Sequence, residues 1–288
     1  MTRIAYHDGR WLPIAAPAVP VEDRGLQFAD AVYEVLKAVD GRPLDLDRHL
    51  ARLDRSLREL RMAWPVTPAV LRGLVTQALA RNGLREATVY LQVGRGVAPR
   101  YHLFPKMARP TLTITVRRAS FPSRREIEGG VRVVTMPDPR WARCDIKSVG
   151  LLPNVLCRQA AAEAGCREAW LVDGDGLVTE GSGSNAYIVD AEGRLVTRPL
   201  GPEILGGVTR SVVLETARAA GIEVVERPFS VDEAHAAREA LLSSTTSLLL
   251  PVVAIDGRPV ANGAPGEIGR RLLRAYAERE GLPSRLWP

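Results

Sequence analysis

The sequence predicts a mixed α/β protein, α+β in its grouping, with room for two domains. Three observations lead there. VYEVLKAV alternates with period two, while Leu46, Leu50, Leu53, Leu57 and Leu60 recur at spacings of four and three, the periodicities of a strand and of an amphipathic helix. A hydrophobic content of 46% over 288 residues is enough for a sizeable core. A polar, proline-bearing stretch, VRRASFPSRRE, marks a linker at 119–124 between an N-terminal domain, 1–118, and a larger C-terminal one, 125–288.

In chain order, IAYHDGRWLP reads as a β-hairpin around Asp8-Gly9, a pair that accepts positive φ, with His7 solvated at the turn. The stretch beginning DRGLQFADA shows no cap or stop signal. VYEVLKAV is a strand closed by Asp40-Gly41, with Val32, Glu34, Leu36 and Ala38 on one side and Tyr33, Val35, Lys37 and Val39 on the other. The leucine-spaced helix follows, and on it His49, Arg52 and Ser56 share another stripe, read from periodicity as a solvated face. TPAVLRGLVTQALARNG is a second helix ending at Gly83. ATVYLQVGRG and TLTITV are strands. Between them lies RGVAPRYHLFP, a basic, turn-rich loop without acidic residues, suited to an anion.

The second half opens with the strand VRVVTM and reaches DIKSVGLLPN and the helix NVLCRQAAAEAG, which Asn154 is placed to cap. EAWLVDGDGLVTEGSGSNAYIVDAEGRLVTR reads as short strands around Asp-Gly and Glu-Gly turns. GPEILGGVTRSVVLETARAAG is a glycine-rich turn feeding a helix, where free N–H groups and the helix dipole favour a phosphate. SSTTS at 243–247 offers hydroxyls, PVVAIDGRPV is a hairpin, and a last helix runs from 267 to 280.

Net charge is +6, but the basic residues are scattered among acids and only 5% of residues are aromatic, a poor footprint for nucleic acid. Three cysteines without a CxxC pair and an N-terminus without an apolar signal region point to a reducing cytoplasm. No run of about eighteen apolar residues is present to span a membrane. Lys37, Lys106 and Lys147 are the only lysines among 39 basic residues. Arginine cannot supply a neutral amine, so a retained lysine directs attention to amine chemistry. Lys147 is followed by Val149, Leu151 and Leu152, which would desolvate it, and Cys144 lies near it in sequence.

EGSGSNAYIVDAEGRLVTRPLGPEILGGVTR carries Glu180, Ser182, Asn185, Ala186, Tyr187, Leu195, Thr197, Leu205, Gly207, Val208 and Arg210. In this order and spacing they resemble the signature of the class IV aminotransferases, the fold type IV pyridoxal phosphate enzymes. DIKS resembles that family's Schiff-base lysine segment, and the likeness extends from RGLQFADAVYEV to SSTTSLLLPVVAIDG. The pattern departs at Ala29 and Ala31, where glycines are usual, at Gly150 for asparagine and at Gly183 for serine.

The resemblance implies two α/β domains, the larger with a barrel-like sheet, and pyridoxal 5′-phosphate held as a Schiff base on Lys147. Glu180 would pair with the pyridine nitrogen. Val208, Thr209, Leu205, Ser244, Thr245 and Arg52 would hold the cofactor, the phosphate chiefly; Arg52 thereby leaves the solvated reading, while His49 keeps it, though placed where it could orient Arg52. Within the family, Tyr33, Arg100 and His102 resemble the carboxylate-binding set of D-amino-acid aminotransferases, the last two reaching in from the partner of a homodimer. The expected reaction moves the amino group of D-alanine and other D-amino acids to 2-oxoglutarate. A branched-chain L-amino-acid aminotransferase, an (R)-amine transaminase and an aminodeoxychorismate lyase are the alternatives of the same fold.

Overall fold

The computed structural model describes residues 3–284. The chain divides into two compact units, one of residues 1–120 with 146–151 and one of residues 121–145 with 152–288. The division at 120/121 falls inside the stretch expected as a linker. The six residues around Lys147 group with the first unit, although they lie in the second half of the sequence.

In the first unit, β1 (Ile4–His7) and β2 (Arg10–Pro13) form the expected hairpin, with Asp8 at φ 41° and Gly9 at φ 87°. His7 is half-buried and bonded to Thr113 Oγ1 at 2.9 Å, so it is not the solvated turn residue that sequence suggested. A short helix, α1 (Arg24–Phe28), was not foreseen; the Asp23 carboxylate caps it by accepting from the Leu26 N–H. β3 (Ala31–Val39), β4 (Arg42–Pro43), α2 (Leu46–Glu59), α3 (Pro68–Asn82), β5 (Ala87–Gly94) and β6 (Thr111–Arg118) complete the unit. Thr67 caps α3, and Gly83, at φ 61°, ends it.

The sheet is antiparallel throughout, in the order β2-β1-β6-β5-β3-β4. Its core face carries Val32, Leu36, Val89, Leu91, Leu112 and Ile114, packed against Leu50, Leu53 and Leu57 of α2 and Leu71 and Val75 of α3. Burying this apolar surface, at roughly 25 cal/mol per Å², is the main force holding the helices to the sheet.

In the second unit, α4 (Arg124–Gly129) starts in a capping box between Ser123 and Glu126, so the helix begins within the expected linker. Next come β7 (Val131–Pro137), α5 (Leu152–Glu163), β8 (Glu168–Val172), β9 (Val178–Gly181), β10 (Asn185–Val189), β11 (Leu195–Thr197), α6 (Val208–Ala219) and β12 (Val224–Glu226). α7 (Val231–Ala236), β13 (Glu239–Ser244), β14 (Leu248–Ile255), β15 (Arg258–Pro259) and α8 (Glu267–Glu280) follow.

The nine strands form one mixed sheet in the order β12-β11-β10-β13-β14-β7-β8-β9, with β15 on β14. It curls until β9 approaches β10, a half-barrel closed by the short loop at 182–184. α5 begins two residues before Asn154, which therefore does not cap it; its side chain donates instead to the Ser182 carbonyl at 2.8 Å.

Candidate functional site

In the first unit the site grows out of the alternation of β3. Glu34 faces the helices with Val32 and Leu36, and a carboxylate buried there demands partners. α2 supplies them. Arg52 donates from Nε and Nη2 to the two carboxylate oxygens at 2.8 and 2.7 Å, and His49 Nδ1 lies 2.7 Å from Oε2. Burial works against the charged carboxylate, but the Arg52 charge and the hydrogen bonds from Arg52 and His49 outweigh it and hold the Glu34 pKa down at about 2. His49 and Ser56 are buried with Arg52 beside them, so this stripe is not the solvated face that periodicity suggested.

The third member of the stripe reaches the lysine segment. Ser56 Oγ accepts the Lys147 N–H at 3.3 Å, and residues 147–149 lie antiparallel along the start of β3: the Tyr33 N–H donates to the Lys147 carbonyl and the Val149 N–H to the Ala31 carbonyl. Lys147 Nζ stands over the Tyr33 ring, 4.3 Å from its centroid. The amine thus rests on an aromatic face; Leu152, expected to desolvate it, is exposed. Tyr33 in turn packs on Tyr90, whose hydroxyl donates to Gln92 Oε1 at 2.6 Å. Burial, with the Tyr33 charge adding, pushes the Tyr90 phenol up to about 12.

The basic loop after β5 has a built foundation. Asp30 accepts from Arg24 Nε and Arg95 Nε at 2.9 and 2.7 Å, Arg24 also donates to the Tyr101 carbonyl, and Arg95 stacks on Phe104 at 3.9 Å. Arg100 and His102 are exposed, and both rest on the Phe28 ring, at 4.9 and 5.5 Å. Of the two sequence groups, Tyr33 adjoins Lys147, whereas Arg100 and His102 are presented together on the loop surface.

In the second unit the loop between β9 and β10 sets Glu180 and Asn185 side by side. Asn185 Nδ2 donates to Glu180 Oε2 and to the Leu205 carbonyl, both at 3.0 Å, and the Leu205 N–H points at the same carboxylate. Arg140 closes the group: it pairs with Glu180 through Nη1, with Asp138 at 2.7 Å and with the Glu203 carbonyl at 3.0 Å. Burial opposes the guanidinium charge of Arg140, yet the Asp138 hydrogen bond and the Glu180 charge drive its pKa upward. The Cys144 thiol, in the same unit, is pushed up to about 11, by burial first and with Glu180 and Asp138 adding against Arg140; it stays protonated at neutral pH.

α6 starts at Val208 without any side-chain cap, so the leading N–H groups, Val208 and Thr209 among them, are offered at the positive end of its dipole. Its N-cap must be Gly207, because a Cβ there would run into Asn185 Oδ1. Asn185 pairs in register with Ser243; Ser244 ends β13 and its Oγ accepts the Ser247 N–H at 3.0 Å, while Thr245 opens the turn to β14.

Periodicity and spacing alone do not mark Glu34 and Arg140 as site residues. The signal for Glu34 was an acid on the core-facing side of the β3 alternation; for Arg140, forty residues from Glu180, spacing carried none.

A family model described as amino-transferase class IV matches residues 31–255. The chain belongs to this family. It is 38% identical over 268 residues to the D-alanine aminotransferase of Bacillus licheniformis, spanning 93% of this chain and 94% of that protein. With the D-alanine aminotransferase of Listeria innocua the identity is 39% over 263 residues, 90% of each chain. The fold matches the crystal structure of the Escherichia coli branched-chain amino acid aminotransferase with a TM-score of 0.91 at 23% identity, over 97% of this chain and 95% of that one. Class IV aminotransferases are pyridoxal phosphate enzymes, and this chain is a pyridoxal phosphate-dependent transaminase. Its residues fit the group: the second unit presents an uncapped helix N-terminus for a phosphate and a carboxylate fixed by convergent donors for a protonated ring nitrogen. Among the described residues, no helix is long and apolar enough to cross a membrane.

Proposed function

We propose that the protein is a D-amino-acid aminotransferase, moving the amino group of D-alanine and other D-amino acids to 2-oxoglutarate to give pyruvate, or another 2-oxo acid, and D-glutamate. The observation that carries this reading is the pair Arg100 and His102 displayed on Phe28, in a chain 38–39% identical to D-alanine aminotransferases. A planar two-pronged guanidinium beside an imidazole suits a substrate carboxylate, and fixing that carboxylate on one side decides which face of Cα reacts.

Bound pyridoxal phosphate supplies the electron sink for charge developing at Cα. Lys147 would be the covalent anchor, and its freed Nζ would carry the proton between the substrate Cα and the C4′ carbon of the cofactor, a role typically worth about 10² to 10⁴ in rate. Glu180, kept in place by Asn185, Arg140 and the Leu205 N–H, holds the proton on the ring nitrogen. Val208 and Thr209 N–H groups bind the phosphate, with Ser244 and Thr245 hydroxyls and the Arg52 charge adding to them. Tyr33 directs its hydroxyl to the substrate carboxylate.

The active form in this reading is a cytoplasmic homodimer in which Arg100 and His102 serve the partner's site. Their loop supports it by exposing Tyr101, Leu103 and Met107, the last at 91%. Mixing Lys147→Ala with Arg100→Ala protein should then restore activity that neither has alone; no restoration would remove the exchange across subunits.

A spectral titration tests the main reading. The visible band of the holoenzyme should be discharged by D-alanine and be absent from Lys147→Ala. Discharge by L-leucine and not by D-alanine would favour a branched-chain enzyme, and an intact band in an active Lys147→Ala protein would end the assignment.

A further inference from the structure

Glu168, the first residue of β8, is buried and has no part in the chemistry above. Its Oε1 accepts from Ser182 Oγ and from the Ala169 N–H at 2.9 Å, and its Oε2 accepts from Ser184 Oγ at 3.0 Å. Among the described residues its ion pair is with Arg158 Nη1 at 3.4 Å, a partner 39% exposed, and so counts for little. A buried carboxylate is costly unless donors converge on it, and two of these three are the hydroxyls of a single loop.

That loop, 182–184, joins β9 to β10 and is fastened on every side. The Ser182 N–H donates to the Ala169 carbonyl, Asn154 Nδ2 donates to the Ser182 carbonyl, and the Gly181 N–H donates to the Ser184 carbonyl at 2.6 Å. Position 181 admits no side chain, since a Cβ would strike Ser184 Oγ and crowd Glu168. Glu180 precedes the loop and Asn185 follows it; Asn185 then bonds Glu180 and the Leu205 carbonyl and occupies the space beside Gly207. A shift of the loop would therefore be felt at the carboxylate and at the α6 turn together.

We propose that Glu168 is a positioning residue: by drawing both serine hydroxyls inward it fixes the loop that sets Glu180 against Asn185 and holds the Gly207 turn. This inference rests on the reading of Glu180 as the ring-nitrogen partner.

The test uses the full chain in three variants, Glu168→Ala, Glu168→Gln and Glu180→Gln. The readouts are pyridoxal 5′-phosphate affinity of the cofactor-free protein by absorbance titration, the pH midpoint of the bound-cofactor band, and the melting temperature of the cofactor-free protein. Glu168→Ala should weaken affinity about 10-fold and move the pH midpoint, and Glu168→Gln, which keeps an acceptor for one hydroxyl, should lose less. Unchanged affinity and midpoint in Glu168→Ala, or a lowered melting temperature alone, would overturn the proposal while Glu180→Gln still weakens binding. If Glu180→Gln changes neither affinity nor midpoint, the reading of Glu180 itself fails. Should Glu168→Ala not fold, Ser184→Ala decides: a weaker affinity supports the positioning role, and an unchanged one overturns it.

Discussion

Lys147 Nζ lies 4.3 Å from the centre of the Tyr33 ring, while the backbones of the two residues are tied by the hydrogen bond from the Tyr33 N–H to the Lys147 carbonyl. The strand that carries the tyrosine therefore also places the lysine.

The ring and the hydroxyl of Tyr33 are separable. Tyr33→Phe keeps the aromatic face and removes the proposed carboxylate contact, so KM for D-alanine should rise about 10-fold with little change in kcat. Tyr33→Leu removes both and should lower kcat as well. Steady-state kinetics of the two variants check this, and an unchanged KM in Tyr33→Phe would take the hydroxyl out of substrate binding.

Glu34 is the hub of the Arg52 and His49 contacts, and its removal leaves a buried guanidinium without its fork partner. Glu34→Ala should cost about 3–5 kcal/mol, read by denaturant unfolding. The carboxyl titrates at about 2 in the fold against an ordinary value near 4.5. A depressed folded pKa contributes stability that is complete above the unfolded value and is lost as pH falls from about 4.5 through 2. Wild-type stability should therefore drop across that window more steeply than that of Glu34→Ala.

Ala29 closes α1 with φ 55°, a left-handed conformation that costs a residue with a Cβ roughly 1 kcal/mol. This conformation suits the glycine of the family pattern; nothing in the structure explains the alanine that stands here. Ala29→Gly relieves the strain but adds freedom to the unfolded chain, a net gain of about 0.5 kcal/mol. Ala29→Val, with branching at Cβ, should destabilise. Thermal melts of the two variants should move in opposite directions.

Elements whose order comes from local periodicity were legible: the leucine seam of α2, the alternation of β3, the Asp-Gly turns and the glycine end of α3. The Asp23 cap and the true start of α5 were not, because Asp23 precedes no long periodic run and Asn154 resembles a cap while its side chain is taken by the Ser182 carbonyl. The signature from Glu180 to Arg210 was readable as a pattern. What it could not disclose is which residues hold it: Arg140 and Glu168 reach Glu180 and the 182–184 loop only through the curl of the nine-stranded sheet. His49 misled for the same reason, since periodicity assigns it to a stripe but cannot say that a strand carboxylate lies opposite.

Lys37 gives the last test. Its side chain lies on the face of β3 shared with Tyr33 but is almost fully buried, with Nζ donating to the Ser120 carbonyl at 3.2 Å. Burial brings the amine down to about 7 from an ordinary value of 10.5. Between those pH values the unfolded chain binds the proton that the folded chain lacks, so stability must rise as pH increases from 7 toward 10.5, and below 7 the full cost of a buried ammonium is borne. Lys37→Met keeps the length and apolar contacts of the stem without the charge. It should melt above wild type at pH 7, with the gap narrowing as pH approaches 10. A constant gap across that range would mean that the amine titrates alike in the folded and unfolded chain, and a variant less stable at every pH would mean that the contacts of the amine outweigh its desolvation.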